Sequence, residues 1–380
     1  MVSLKEKVSA SIFLLSYFET LGFNNAEWEF NYGNNNLNIN QAGYVWINII
    51  HHFFALGGFS NINITNWNSS DDTILAIGTG LACLKGGTEK DYIKEYINLI
   101  DTLKDNKRLS GINTLNVLEF MKRANSINKL DYKETMGGNG AAMRTSIIGL
   151  IYYKENQLDK LIENSIIASR VTHNYSLGFL GGLVTALFTS FGIRNIPIWE
   201  WVDKLLEIYN QGYIDKYMKK TNIYKKYLAD KDFFFDKWLQ YQEQKLSKFK
   251  FKPNDFIHFE NRIESLDDYN DYKGKRNKED YSRFGSSGLS CVLVAYDALL
   301  MSINSKENII PINLDKTTIS IDSLIFFSCL HFGDNDTTGA VAGAWYGSVY
   351  GFLNFDQDRL KQLEFYHQLK NISDRVINKL

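Results

Sequence analysis

The chain has 380 residues, 44% hydrophobic and 22% charged, with a formal net charge of −1. This is ample material for an apolar core, and so neutral a balance provides no field to gather nucleic acid or an anionic membrane. Three cysteines, Cys83, Cys291 and Cys329, are scattered without paired spacing, which argues against a disulfide framework or a zinc site and fits a reducing compartment.

At the N-terminus, Lys5 and Lys7 precede the apolar stretch Ile12-Phe13-Leu14-Leu15. Glu19 interrupts it and no small-residue cleavage site follows, so a secretory signal is not expected. No run is expected to approach the roughly 18 apolar residues of a membrane helix. The Asn-rich tract 31–40 reads as a surface loop. Helical spacing then recurs: Ile74, Leu75, Leu81 and Leu84 after Asp72, Ile147, Ile148, Leu150 and Ile151 after the glycine-rich Gly137–Gly140, and Leu158, Leu161, Ile162, Ile166 and Ile167 on one face. Residues 176–193 and 338–353 are apolar and small, each bounded by polar or glycine signals. Few windows alternate with period two, so the chain reads as mostly helical. The stretch 214–283 is dense in Lys, Asp, Asn and aromatic residues, among them Phe233-Phe234-Phe235, Trp238 and Tyr241. Its aromatic content predicts helices and long loops packed on one domain, 1–380, rather than a disordered linker.

Gly339, Gly343, Gly347 and Gly351 recur every four residues. A glycine inside a helix costs up to about 1 kcal/mol relative to alanine. Four on one face therefore predict another backbone packed very close to that helix.

Two motifs place acidic side chains and a hydroxyl directly before an apolar run: Ser70-Asp71-Asp72-Thr73 and Asp334-Asn335-Asp336-Thr337. Each can be a helix cap, since Ser and Asp satisfy orphan amides and favour the helix dipole. A cap needs only one such residue, however, and the second acid is then surplus. If both helix starts converge, four carboxylates and two hydroxyls meet at one point, a donor set suited to hard cations. Gly137-Gly138-Asn139-Gly140-Ala141-Ala142-Met143-Arg144 reads either as an ordinary turn or as a phosphate cradle at a helix start. Ser169-Arg170-Val171-Thr172-His173 reads either as a helix end whose Arg and His answer the dipole or as a polar loop touching a ligand.

These motifs, in this order, resemble the ADP-ribosylglycohydrolase family, most of all its ADP-ribosylarginine hydrolase branch. The resemblance begins at Lys5–Phe30, where Leu21-Gly22 and Trp28-Glu29-Phe30 match. It continues through Ser70–Thr73, Gly138–Leu150, Ser169–Phe191, Tyr281–Leu300 and Gly333–Phe352. It implies an all-α, single-domain orthogonal helical bundle with a binuclear magnesium centre, manganese being the alternative ion. The implied metal ligands are Ser70, Asp71, Asp72, Asp334, Asp336 and Thr337. Asp71, Asp72 and Glu29 take the implied catalytic roles. Gly138, Asn139, Gly140, Arg144, His173, Ser286, Ser287 and Gly288 would line the substrate.

The implied activity is metal-dependent hydrolysis of the N-glycosidic bond between ADP-ribose and arginine on modified proteins, in a cytoplasmic monomer. Its partners would be an ADP-ribosylated protein and ADP-ribose, with no nucleic acid and no membrane. The alternatives are hydrolysis of O-linked (serine) ADP-ribose or small ADP-ribose conjugates, and non-catalytic binding of ADP-ribose. Two departures bear on the choice. The family's Gly-Asp-Ala-Leu-Gly is here Phe18-Glu19-Thr20-Leu21-Gly22, which keeps a carboxylate but replaces a glycine by a bulky ring. The His-Asp pair that follows Ser-Ser-Gly in the arginine branch is here Leu289-Ser290, which bears on the leaving group.

Overall fold

Two helices in backbone contact, Leu4–Phe23 and Asn335–Tyr350, form the axis of the computed structural model, which describes residues 2–30, 36–247, 262–263, 266, 280–303 and 320–380. The glycine ladder explains the contact. A Cβ at Gly339 would meet the Phe18 carbonyl, one at Gly343 the Leu14 carbonyl, and one at Gly347 the Ala10–Ser11 peptide. The partners step by four in opposite directions, so the helices run antiparallel. Gly351 is not part of this seam. It has a φ of 63° and ends the helix, its amide bonding the Gly347 carbonyl at 3.0 Å. Phe18, the bulky departure from the family pattern, is fully buried with its ring beside Gly343. The small residue on one helix makes room for the large one on the other.

The helix Ser176–Ile193 corrects an expectation. It is 18 residues long and apolar enough to cross a membrane, yet every residue is buried inside the protein. Phe188 on this helix lies 5.2 to 5.4 Å, ring centre to ring centre, from Trp201, Trp238, Tyr296 and Trp345. Trp345 in turn donates from its indole nitrogen to the Thr185 carbonyl at 3.0 Å. The long apolar run is thus the centre of a layered helical core, which extends without a break from Val8 to Val376.

The helices Asp71–Lys85, Ser146–Ile151 and Leu158–Arg170 form where the apolar spacing predicts them. In the 214–283 stretch, the helix Tyr224–Tyr241 turns Tyr227, Phe234, Phe235, Trp238 and Tyr241 inward. Residues 248–261, 264–265 and 267–279 of that stretch lie outside the described residues. Of the Asn-rich tract, 31–35 also lie outside them. The loop does not extend to Asn40: Asn38 and Gln41 cap each other reciprocally and open the helix Ile39–Ala55. A polar side chain at that position favours a helix start as readily as a loop.

Candidate active site

The two acidic motifs open two helices, and the helix starts converge. Ser70 caps the helix Asp71–Lys85, its hydroxyl accepting the Asp72 amide at 3.2 Å. That leaves Oδ2 of Asp72 buried without a hydrogen-bond donor. Asp334 precedes the helix Asn335–Tyr350 but makes no side-chain cap, and its Oδ1 is likewise buried and without a donor. Capping therefore accounts for Ser70 and not for Asp334. Asp336 accepts the Thr337 amide at 2.7 Å. The two motifs also touch: the Ser70 hydroxyl bonds the Asp336 carboxylate, and Thr337 bonds that of Asp334.

Glu29 arrives from the end of the first helix. Gly22 has no room for a side chain against the Asn335 backbone, which brings the end of one helix against the start of the other. Asn24, Asn25 and Ala26 then take left-handed backbone angles, with φ of 41°, 54° and 71°. Without a glycine, such angles cost roughly 1–2 kcal/mol per residue. Trp28 anchors the turn, donating to Nδ1 of His52 at 3.1 Å and packing on Phe53 and Trp67. Carboxylate oxygens of Glu29, Asp334 and Asp336 then lie within 4.8 Å of one another. Oε2 of Glu29 has no donor.

The electrostatics follow from this crowding. Burial first, and then the Asp336 charge, push Glu29, Asp71 and Asp72 above the usual carboxylate range. Asp334 is raised by the same two causes, and Asp336 chiefly by burial. Carboxylates crowded in this way either hold protons or need cations. The donors are all oxygen, three of them lack any protein donor, and hard divalent ions prefer such a set. The cluster therefore fits a metal ion.

Beneath it lies the carboxylate kept in the Phe18–Gly22 motif, in a supporting position. Glu19 is fully buried and accepts from the Ser70 amide, from the Thr73 hydroxyl at 2.7 Å and from the Thr20 hydroxyl at 3.1 Å. Burial holds its carboxyl up at about 7. The signal in the sequence is an acid inside an otherwise apolar helix. A second clamp comes from distant segments. Arg108 and Glu364 form a two-pronged ion pair at 2.6 and 2.7 Å. Together they hold both backbone groups of Ser69, whose carbonyl accepts from Arg108 at 2.8 Å and whose amide donates to Glu364 at 3.0 Å.

The glycine turn lies alongside. Gly138 and Ser287 form a short antiparallel bridge, with the Gly288 amide on the Gly137 carbonyl at 3.0 Å and the Asn139 amide on the Ser286 carbonyl at 3.2 Å. This brings Ser286, Ser287 and Gly288 to the turn. The Asn139 side chain donates to the Gly285 carbonyl at 3.1 Å and also reaches Asp334. His173 packs directly under the turn, where a side chain at Gly140 would strike its ring. Burial pushes the His173 imidazole down to about 3, so it is neutral near pH 7.

Arg144, which the resemblance implies at the substrate, lies beneath the turn in this structure. It is fully buried and donates to the Gly140 carbonyl at 2.7 Å, the Ala168 carbonyl at 3.0 Å and the Thr172 hydroxyl at 2.7 Å, with its guanidinium over the Tyr96 ring. Its two terminal nitrogens brace the turn from below, while Nε is buried without a partner among the described residues. Arg170 also differs from the helix-end expectation. It bonds Asn174 at 2.8 Å and Asn222 at 3.2 Å rather than the terminal carbonyls. Leu289 points into the core, and Ser290 exchanges hydrogen bonds with Ser287 to start the helix Ser290–Ile303.

Residues 26–380 match the family model described as ADP-ribosylglycohydrolase. The chain is 30% identical to a Dictyostelium discoideum protein named ADP-ribosylhydrolase ARH1, over 98% of this chain and 94% of that one. It is 31% identical to a putative ADP-ribosyl glycohydrolase, L444, of Acanthamoeba polyphaga mimivirus, over 95% of this chain and 68% of the other. A solved structure titled as an ADP-ribosylglycohydrolase-related protein complex superposes with a TM-score of 0.59 at 15% identity, covering 99% of this chain and 98% of that one, and shows the same all-helical fold. The family points to a glycosyl hydrolase of ADP-ribose conjugates, in keeping with an all-oxygen acidic cluster beside a glycine turn, and this chain belongs to the ADP-ribosylglycohydrolase family.

Proposed function

We propose that this protein removes ADP-ribose from arginine side chains of modified proteins, hydrolysing the bond between the anomeric carbon and the guanidine nitrogen. The observation that carries the reading is the set of buried carboxylate oxygens without donors, on Glu29, Asp72 and Asp334. Ser70, Asp71, Asp72, Asp334, Asp336 and Thr337 would hold two divalent ions, magnesium or manganese. Such ions, when bound, polarise a water and grip ribose hydroxyls.

The remaining work falls to the chain. The amides of Gly138 and Gly140 would bind the pyrophosphate, that of Asn139 being engaged with the Ser286 carbonyl, so that affinity for a remote group positions the reacting carbon. Asp71 or Asp72 would accept a proton from the attacking water as the water oxygen bonds to the anomeric carbon. The C–N bond breaks through an oxocarbenium-like state, and the released guanidine nitrogen takes up a proton. Glu29, whose carboxyl burial and neighbouring charge push upward, would sit at the mouth of the cluster to receive or return that proton. The products are ADP-ribose and unmodified arginine.

A second reading keeps the fold and changes the bond to an O-linked ADP-ribosyl serine. Its motive is Leu289-Ser290, a pair engaged in the core and in a helix start and so unavailable to a leaving group in the way a His-Asp pair would be. The discriminating experiment supplies arginine-linked and serine-linked ADP-ribosyl proteins side by side, with magnesium or with chelator, and measures released ADP-ribose. Magnesium-dependent release from the arginine substrate is expected. Release from the serine substrate alone would replace the first reading by the second.

A further inference from the structure

The hydrogen bonds under the glycine turn form a chain with one direction. Arg144 can only donate, so at 2.7 Å from Thr172 its guanidinium makes the Thr172 oxygen an acceptor. That hydroxyl has one proton of its own, and it lies 2.7 Å from Nδ1 of His173. A hydroxyl oxygen could accept a second hydrogen bond, but the Thr172 proton has no other acceptor among the described residues, so it is directed at Nδ1, which then carries a lone pair. In a neutral imidazole the other nitrogen then holds the hydrogen. Nε2 of His173 is bonded to no described residue, and the residue as a whole is buried. It faces the backbone of the turn: a Cβ at Gly138 would lie 3.6 Å from Nε2, and one at Gly140 would lie 2.9 Å from it.

We propose that Arg144 and Thr172 are positioning residues that lock His173 as its Nε2–H tautomer and so present a single donor, beside the glycine turn, to an acceptor oxygen of the ADP-ribosyl group. The ligand half of this rests on the proposed function; the tautomer half does not. Arg144 acts without touching the ligand. Its charge also opposes protonation of His173, which would otherwise turn Nδ1 into a donor and break the relay. Every member is either buried or under the turn, so no solvent competes for the proton. Arg144 occupies one lone pair of the Thr172 oxygen and, being unable to accept, leaves His173 as the acceptor for the threonine proton.

The test is long-range proton–nitrogen NMR on protein labelled with nitrogen-15 in histidine, with the His173 signal assigned from His173→Gln. In the wild type, His173 should show a protonated Nε2 and an unprotonated Nδ1. Thr172→Val removes the hydroxyl at constant shape; it should erase that signature and weaken ADP-ribose binding, read by calorimetry, roughly tenfold. Thr172→Ser should restore both. A protonated Nδ1 in the wild type overturns the proposal even if no variant folds, as does a Thr172→Val protein with wild-type signature and affinity. An Nε2–H signature in a wild type that binds no ADP-ribose would overturn the ligand half and the proposed function together, leaving the lock in place. A lost signature with unchanged affinity would overturn the donor role of His173 alone.

Discussion

The carboxylate of Glu19, buried near the C-terminal end of the first helix, accepts the backbone amide of Ser70, the residue that starts the helix bearing Asp71 and Asp72. One side chain of the central helix thus sets where the acidic motif begins. The same carboxylate takes the Thr73 hydroxyl at 2.7 Å, so it fixes the first turn of that helix from two sides.

Glu19→Ala should strand the Ser70 amide in a dry interior and leave the Thr73 hydroxyl only Ser16, at 3.0 Å. A loss of roughly 1–3 kcal/mol is expected, since a buried polar group without its partner incurs its full desolvation cost. Urea unfolding with and without magnesium checks this. The magnesium-induced stabilisation should shrink as well, because Ser70 no longer holds its place. Unchanged unfolding in both conditions would remove Glu19 from the support of the cluster.

Asp336→Asn should have opposite effects with and without metal. Asn keeps an oxygen for the Thr337 amide but removes the charge that raises Glu29, Asp71, Asp72 and Asp334. In chelator the variant should therefore be more stable than wild type, by about 0.5–2 kcal/mol. With magnesium at a hundred times its Kd, wild type should gain about 2.7 kcal/mol and the variant far less. Thermal melts in the two buffers would show the curves crossing. A variant that is less stable in chelator would contradict the repulsion.

Gly343→Ala tests the seam between the two axial helices. Helix propensity alone favours alanine by up to about 1 kcal/mol. Here the new methyl would run into the Leu14 carbonyl and the Phe18 ring, and backbone cannot rotate aside as a side chain can. The expected result is destabilisation of about 1–3 kcal/mol. Denaturant midpoints decide the sign, and a stabilised variant would show that the helices separate easily.

His331 should make the protein acid-sensitive. Its Nδ1 accepts the Gly333 amide at 3.1 Å and its Nε2 bonds Thr338 at 2.7 Å, so the ring has no place for a second proton. Burial, and then Arg262, push it down to about 3 from an ordinary value of 6.5. Above pH 6.5 neither the folded nor the unfolded chain protonates this histidine, and it contributes nothing to pH dependence. Between 6.5 and 3 only the unfolded chain does, so stability falls as pH falls, by at most about 1.4 kcal/mol per pH unit. His331→Gln should flatten the decline in urea midpoint between pH 6.5 and pH 5; an unaltered slope would mean that the ring protonates in the folded state.

Local pattern was enough to read the helices around the site, because apolar spacing and end signals are properties of short windows. The starts at Asp71 and near Asp334, the turn at Gly137–Gly140 and the close packing behind Gly339, Gly343 and Gly347 were all legible in this way. The helix Ser176–Ile193 forms at the bounds its pattern predicts, but it also reaches the length and apolarity of a membrane span, which the sequence reading expected of no run. Composition cannot distinguish a helix surrounded by lipid from one surrounded by its own chain, and only the packing of Phe188 and Trp345 identifies the second case.

What tertiary structure alone decided is which polar groups face one another. The sequence by itself determined that two acid-bearing helix starts exist and that each carries one more acid than a cap requires. That they meet depends on Gly22 against Asn335 and on the left-handed turn that carries Glu29 inward. The same holds for Arg144. An arginine after a glycine turn suggests an anion, but its position relative to the backbone put it below the turn, facing Thr172, because a guanidinium that is out of reach of water must bond whatever acceptors the fold supplies. Residue type sets which bonds a group can make, and the fold sets which of them it does make.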